Sequence, residues 1–290
     1  MTSTTPPTSA DASMARVDVM QRLRSERRHA TIEWVKLGFV GTGAITSAIV
    51  TGLRGGVGEE CSILLSPRNF ATAANLAARF ANVRIASSNQ DVVDNSEVVL
   101  LAIRPQIAQD VISELHFRPE HRVISVVAGF SFRRISALAA PATKVTRAVP
   151  LPSVAERRGP TAIYPPDPIV ADLFWTLGAA IEVEREAEFD ALCTATATAA
   201  SYFAFADRIV SWLVGHGVPR AKARDYVGRI FRELGDTAIG DPERSFQALA
   251  SDHATLGGIN EQVIAHLVNH GVFETISDGL DAVMRRISSE

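Results

Sequence analysis

The sequence is poor in cysteine, contains no long apolar run and carries no large excess of either charge. Its two cysteines, Cys61 and Cys193, are too few for a disulfide framework or a thiolate metal cluster, so both are expected to pack as small apolar residues. The longest apolar runs, such as Val98–Ile103, are far shorter than the roughly 18 residues of a membrane-spanning helix. A net charge of −3 without a basic stripe argues against nucleic acid as a partner. We therefore expect a cytoplasmic protein that acts on a small molecule.

The composition is that of a globular protein with an atypical N-terminus. Of the 290 residues, 47% are apolar and 21% are charged, which suffices for one or two packed domains. Residues 1–34 begin with a stretch rich in Ser, Thr, Ala and Pro, continue with several arginines, and lack the apolar segment of a secretory signal. We expect a disordered tail there. A weak targeting helix and an over-long start-codon assignment are the alternatives.

The most informative motif joins an apolar strand to a helix through two glycines. Residues 35–46 read Val-Lys-Leu-Gly-Phe-Val-Gly-Thr-Gly-Ala-Ile-Thr. In a dinucleotide-binding turn, Gly41 permits the tight turn and Gly43 lets backbone N–H groups approach a pyrophosphate at the helix N-terminus. Thr46 stands at the third position, where Gly or Ala is usual. An ordinary strand-to-helix turn is the alternative interpretation.

The end of the next predicted strand lacks the acidic residue that would hold the ribose hydroxyls of NAD(H). It reads Ser66-Pro67-Arg68-Asn69 instead. A hydroxyl and a guanidinium can hold a 2′-phosphate, so the sequence favours NADP(H) over NAD(H). The alternative is that Arg68 is an ordinary solvated loop residue.

Short apolar runs alternate with amphipathic ones from Val35 to about Tyr164, which predicts an α/β fold with a doubly wound parallel sheet of the Rossmann type. Val98–Ile103 is apolar on both faces, as a central parallel strand must be, and it ends in Arg104-Pro105 at the edge where such sheets bind ligands. The predicted strands are Lys36–Val40, Ser62–Ser66, Val83–Ala86, Val98–Ile103, Arg122–Val126 and Lys144–Ala148, and the predicted helices include Ala44–Leu53, Ala71–Phe80 and Gln106–Glu114.

After the proline-rich stretch Tyr164–Pro168, helical periodicity replaces the alternation. This change predicts an NADP-binding Rossmann domain over residues 35–165 and a helical dimerisation and substrate domain over residues 166–290. The helix expected over Phe189–Val214 is too apolar for a surface helix, which makes a dimer interface plausible. The acidic residues near its start are interpreted as complementing the helix dipole rather than as paired catalytic acids; they are Glu184, Glu186, Glu188 and Asp190.

A second glycine pair lies near the C-terminus. Gly257-Gly258 opens a predicted helix that stops at Gly271, and the exposed N–H groups at its start would bind the carboxylate of an acidic substrate. An ordinary glycine-rich turn with Asn260 near the N-cap accounts for the sequence equally well. His253 is a candidate proton donor, whereas His266 and His270 are interpreted as solvated or packed.

In chain order, these motifs resemble the pyrroline-5-carboxylate reductase family over nearly all of residues 35–290. The resemblance implies an N-terminal Rossmann domain, a helical domain that interlocks with its twin in a homodimer or higher homo-oligomer, and hydride transfer from NAD(P)H to a cyclic imine acid, giving proline. It is carried by Gly38-Phe-Val-Gly-Thr-Gly-Ala-Ile45, Ser66-Pro-Arg68, Asn89, Leu101-Ala-Ile-Arg-Pro105, Val126-Val-Ala-Gly129, Gly257-Gly258 and Gly271-Val-Phe273.

The same resemblance implies the site residues by position. Asn260 would orient the imine nitrogen of the substrate. The substrate site would be lined by Thr255, Gly257, Gly258 and Asn260, with Glu243 and Asp252 as supporting contacts. The cofactor would contact Gly41, Gly43, Ala44, Ile45, Ser66, Arg68, Asn89, Ala102, Ile103, Arg104 and Pro105.

The departures from the family pattern fall where substrate is bound. Ile259 and Asn260 stand where the family usually has a small residue or threonine and then a threonine, although an asparagine can also donate or accept. Two further family segments, which contain more glycine or more polar side chains, are replaced here by Pro150-Leu-Pro-Ser153 and Thr196–Tyr202. Two alternatives to the proline-forming reaction therefore remain: reduction of a different imine or oxo acid, and a non-catalytic NADP-binding regulatory role.

Overall fold

The computed structural model describes residues 35–56 and 61–288, so the predictions for residues 1–34 lie outside the described chain. The described residues fall into two compact units that divide between Cys193 and Thr194. We call the part up to Cys193 the sheet unit and Thr194–Arg286 the helical unit.

The sheet unit is built on an eight-stranded sheet with the order β3-β2-β1-β4-β5-β6-β7-β8. Neighbours are parallel from β3 to β6, β7 is antiparallel to β6, and β8 is parallel to β7. The strands are β1 (Leu37–Val40), β2 (Ile63–Leu65), β3 (Val83–Ile85), β4 (Val98–Leu101), β5 (Arg122–Ser125), β6 (Lys144–Pro150), β7 (Pro160–Tyr164) and β8 (Ala179–Glu182). The helices are α1 (Ala44–Arg54), α2 (Phe70–Arg79), α3 (Asn89–Asp94), α4 (Pro105–Ser113), α5 (Phe132–Leu138) and α6 (Pro168–Thr176), with a 3₁₀ turn at Pro152–Glu156.

Helices cover both faces of the sheet, and the central strands are therefore apolar throughout. Every residue of β1 and β4 is buried. Side chains alternate between the faces, so Phe39 and Leu100 join one core cluster while their chain neighbours Val40 and Leu101 join the other. The predicted Rossmann fold with a helical C-terminal region is confirmed.

The sheet extends further along the chain than the sequence pattern indicates. β7 pairs with β6 and β8 pairs with β7, which adds Pro160–Tyr164 and Ala179–Glu182 to the sheet that β1–β6 form. The division between the units accordingly lies after Cys193 and not after residue 165 as predicted. β8 is only four residues long and follows the apolar helix α6, so it leaves no clear alternation in the sequence.

The helical unit contains α8 (Thr198–Gly215), α9 (Arg220–Gly240), α10 (Phe246–His253), α11 (Ile259–Asn269) and α12 (Val272–Ser288), while α7 (Glu186–Thr196) runs through the division. The helix predicted over Phe189–Val214 is thus two helices that break at Ala197. The core of the helical unit contains Val210, Ala223 and Val227. Many large apolar side chains stay exposed, including Phe203 at 69% and Trp212 at 60%. A surface of this kind is typical of proteins that bury it against a partner.

Two of the acidic residues near the start of α7 bind an arginine of the sheet. The Arg147 guanidinium, on β6, lies 2.7 Å from Glu186 Oε1 and 3.0 Å from Asp190 Oδ1, and Glu186 also accepts the backbone N–H of Phe132. Arg147 is buried and stacks over the ring of Phe189. The predicted role as dipole complements is therefore incomplete, because these carboxylates compensate a buried cation.

Cys61 is buried and Cys193 is half-buried. Burial raises the pKa of Cys61, and it raises the pKa of Cys193 to about 11 although Arg147 acts in the opposite direction. Within residues 35–56 and 61–288, no helix combines the length and apolarity needed to cross a bilayer. The same residues contain no group of three or more His, Cys, Asp or Glu side chains able to hold a metal ion.

Candidate functional site

A cavity of about 370 Å³ opens at the carboxyl ends of β1, β2 and β4. This is the edge at which doubly wound sheets bind ligands. Eight of the eleven predicted cofactor contacts line it: Gly41, Gly43, Ser66, Arg68, Asn89, Ala102, Ile103 and Arg104. The lining also includes residues that the sequence did not single out as contacts, namely Val40, Thr42, Asn69, Ile107 and Val111. Ala44, Ile45 and Pro105 stand just beyond it, in the first turns of α1 and α4.

The two positions after β1 are glycine for different structural reasons. Gly41 has φ +100°, and a Cβ at this position would collide with the carbonyl oxygen of Ala102 at the end of β4. Gly43 has an ordinary φ of −98°, and a Cβ there would meet no atom within 4 Å. Gly41 thus lets two strand ends approach each other, while Gly43 leaves open space at the start of α1. The N-cap residue of α1 is Gly43, which has no side chain to cap the helix, so the first N–H groups of α1 suit an anion.

A small hydrogen-bond network holds the glycine turn against the end of β2. The Gly41 N–H donates to Ser66 Oγ at 2.9 Å, and the Thr42 hydroxyl donates to the Ser66 carbonyl oxygen at 2.8 Å. The Thr46 hydroxyl donates to the Gly41 carbonyl oxygen at 2.6 Å, which gives a local reason for a threonine where the fingerprint usually has Gly or Ala. Ser66 is fully buried. Its hydroxyl therefore helps to hold the turn, and Ser66 is also among the residues that line the cavity.

The charged residues of the cavity are both arginines. Arg68 and Arg104 are exposed, and neither makes an ion pair with a carboxylate of the described residues. No Asp or Glu is found among the described residues that line the cavity. Asn69 lies beside Arg68, and Asn89 begins α3 after the capping residue Ser88. The cavity therefore presents positive charge and amide donors, which suits a ligand that carries phosphate groups.

In the helical unit, four predicted substrate residues lie in one short segment before and at the start of α11. Gly257 has φ +72°, a value that favours glycine. The Gly258 N–H donates to the Thr255 carbonyl oxygen at 2.8 Å, and Asn260 Nδ2 donates to the His253 carbonyl oxygen at 3.0 Å. The loop is thus held in place by its own hydrogen bonds.

The remaining residues that the sequence pointed to near this loop lie apart from it or make other contacts. Asp252 pairs with Arg244, and Glu243 is exposed in the segment before α10. His266 and His270 are exposed and stack with ring centroids 4.2 Å apart. A residue that the sequence analysis missed is Glu261, whose carboxylate accepts the Gly257 N–H at 2.6 Å. Glu261 stands three residues after the N-cap Gly258, as the glutamate of a capping box does. This spacing could have predicted from the sequence that its carboxylate accepts a backbone N–H at the helix start.

The chain matches a family model and several curated relatives. The model of the family described as NADP oxidoreductase, coenzyme F420-dependent, matches residues 36–129. The pyrroline-5-carboxylate reductase of Haemophilus influenzae is 24% identical over 263 residues, which cover 86% of this chain and 95% of that protein.

Solved structures of similar proteins have the same fold over most of the chain. The 1-pyrroline-5-carboxylate reductase of Streptococcus pyogenes superimposes with a TM-score of 0.77 at 22% identity, over 89% of this chain and 100% of that chain. The Plasmodium falciparum pyrroline carboxylate reductase with NADP bound gives a TM-score of 0.73 at 17% identity, over 88% and 97%. Together with the sequence matches, this likeness confirms the predicted resemblance to the pyrroline-5-carboxylate reductase family, at an identity that marks a divergent relative.

Proposed function

We propose that this divergent relative of the pyrroline-5-carboxylate reductases uses NADPH to reduce the C=N bond of a cyclic imine acid, most directly 1-pyrroline-5-carboxylate to L-proline. The observation that carries the proposal is the cavity at the sheet edge, which combines a glycine turn, a helix N-terminus without a side-chain cap and two arginines, with no Asp or Glu among the described lining residues. The similarity to reductases of this substrate supports the reaction type.

The residues that line the cavity support the proposed binding of an anionic dinucleotide. We assign the pyrophosphate to the turn at Gly41 and Gly43 and to the first N–H groups of α1. We assign the 2′-phosphate to Arg68 and Asn69, because Ser66 is buried and its hydroxyl already accepts from Gly41. When bound, the dihydronicotinamide supplies a hydride to the electrophilic carbon of the imine.

Reduction of a protonated imine asks mainly for positioning, since its carbon is already electrophilic. We assign the substrate carboxylate to backbone N–H groups at the start of α11, by the same electrostatic argument that applies to phosphate. The Asn260 amide nitrogen is held by the His253 carbonyl oxygen, which leaves its side-chain oxygen to accept a hydrogen bond from the iminium N–H. Asn260 is thereby proposed to orient the nitrogen.

We assign the exposed apolar side chains of the helical unit to a homodimer interface. Phe203 and Trp212 lie on α8, and Ile239 on α9 is 74% exposed. Apolar surface of this extent is more costly in water than against a second copy.

The reaction is tested by following NADPH oxidation with purified protein and 1-pyrroline-5-carboxylate, with NADH in parallel. Turnover with a preference for NADPH is the expected result. Absence of turnover while NADPH still binds would contradict the substrate assignment. It would favour either a different imine or oxo acid or a regulatory, non-catalytic role.

Arg68→Gln is expected to raise the KM for NADPH about tenfold and to leave the KM for NADH unchanged, because it removes a charge-assisted contact to the 2′-phosphate alone. Ser66→Ala is expected to weaken the binding of NADPH and NADH by the same factor. The Ser66 hydroxyl holds the turn at Gly41, and the pyrophosphate that is proposed to bind this turn is common to both cofactors. Arg133→Gln, an exposed arginine on α5 away from the cavity, gives the same change of charge as a control. Equal losses for both cofactors in Arg68→Gln would refute the assigned role.

A further inference from the structure

The anion-binding position at the start of α11 is already taken by a carboxylate of the protein. Glu261 is the third residue of α11, and its Oε2 accepts the Gly257 N–H at 2.6 Å. The Gly258 N–H is also engaged, because it donates to the Thr255 carbonyl oxygen. A substrate carboxylate that approaches this helix end must therefore displace Glu261 from Gly257 or bind beside its negative charge.

We propose that Glu261 is a specificity-determining residue that competes with the substrate carboxylate for the Gly257 N–H and weakens the binding of anionic imines relative to neutral ones. The inference rests on the proposed function, which places the substrate carboxylate at this loop. Two carboxylates within a few ångströms repel each other, and both would be stabilised by the same helix dipole and the same N–H groups. Glu261 then weakens the binding of imines that carry a carboxylate and leaves the binding of the imine ring itself unaffected.

The next helix shows that a glutamate at the third position of a helix does not have to accept the N–H of the glycine that precedes the helix. Glu274 is the third residue of α12, as Glu261 is of α11, and it also follows a glycine with positive φ. There, however, the Gly271 N–H donates to the Val268 carbonyl oxygen at 3.0 Å. Glu274 therefore offers a matched control with the same residue type, the same helix position and the same change of charge.

The test compares Glu261→Gln with Glu274→Gln. Glutamine keeps a side-chain oxygen that can accept the Gly257 N–H but removes the charge, so the loop is expected to stay folded; circular dichroism and the thermal midpoint check this. We measure KM with NADPH for 1-pyrroline-5-carboxylate and for 1-pyrroline, which has the same ring without the carboxylate. Binding of tetrahydrofuran-2-carboxylate, an unreactive ring of the same size, is measured by calorimetry in the presence of NADPH.

Glu261→Gln is expected to lower the KM for 1-pyrroline-5-carboxylate and the Kd for tetrahydrofuran-2-carboxylate about tenfold, because a nearby like charge is removed. The KM for 1-pyrroline should change less than about twofold, and Glu274→Gln should change neither constant, because its charge is screened from the loop by solvent. An unchanged Kd, or an equal shift for the rings with and without a carboxylate, would overturn the proposal.

The calorimetric arm separates this inference from the proposed function. Tighter carboxylate binding by Glu261→Gln without turnover in any variant would support the role of Glu261 and reject the reaction. Turnover of 1-pyrroline-5-carboxylate at the same KM in wild type and Glu261→Gln would support the reaction and reject the role. Failure of every variant to bind the carboxylate ring would reject the loop as a carboxylate site, and the role of Glu261 with it.

Discussion

Gly41→Ala is expected to destabilise the sheet unit by about 3 kcal/mol and to weaken NADPH binding more than about a hundredfold. The φ of +100° is strained for any residue with a Cβ, and the added methyl would collide with the Ala102 carbonyl oxygen, a backbone atom of the adjacent strand end. Relief of this collision must move the turn away from β4 and disturb its hydrogen bond to Ser66. Urea denaturation measures the loss of stability, and calorimetry measures the affinity for NADPH.

Gly43→Ala separates the two consequences. Its φ of −98° is accessible to alanine, and its Cβ would enter open space, so the free energy of unfolding should change by less than about 0.5 kcal/mol. The methyl would nevertheless stand where the pyrophosphate is proposed to approach the start of α1, and NADPH should bind at least about tenfold more weakly. Wild-type affinity in Gly43→Ala would show that the phosphates do not approach this helix end. Wild-type stability in Gly41→Ala would contradict the steric argument.

The contrast between these glycines shows which parts of the site are encoded locally. The roles of Gly41 and Gly43 follow from a strand, a turn and a helix that are contiguous in the chain, and such patterns can be read from sequence. The role of Ser66 could not be read in this way, because its partner Gly41 lies 25 residues away and only the pairing of β1 with β2 brings them together. A hydroxyl after a strand suits a phosphate ligand and a backbone partner equally well, so the sequence alone cannot show that Ser66 accepts the Gly41 N–H.

The fold shows the same limit. Six parallel strands were predictable because each is an apolar run followed by a helix or a turn, whereas β7 and β8 depend on neighbours in the sheet more than on their own pattern. Arg147 is a further case, since an arginine within a strand gives no sign of burial. Its partners, Glu186 and Asp190, stand about forty residues later in the chain, on α7. The acidic residues were visible in the sequence, but the cation that they compensate was not.

Arg147→Met is expected to destabilise the sheet unit by about 3 kcal/mol, because the substitution keeps the bulk of the side chain but leaves two carboxylates without their cation. The estimate is at the low end for a buried ion pair since Glu186 is about one-third exposed and retains access to water. The expected loss is measured by urea denaturation. Arg185→Met removes an exposed arginine that pairs with Glu188 near the same helix, and it should not shift the unfolding midpoint measurably.

A triple substitution distinguishes an uncompensated charge from lost packing. Adding Glu186→Gln and Asp190→Asn to Arg147→Met removes both negative charges while it preserves the hydrogen-bond acceptor for the Phe132 N–H. If unpaired carboxylates cause the loss, the triple variant should recover at least about half of it, since residues in one ion-pair network couple strongly. No recovery would mean that Arg147 stabilises the protein through its stacking on Phe189 and its packing against α7, and the electrostatic explanation of this buried cluster would then be wrong.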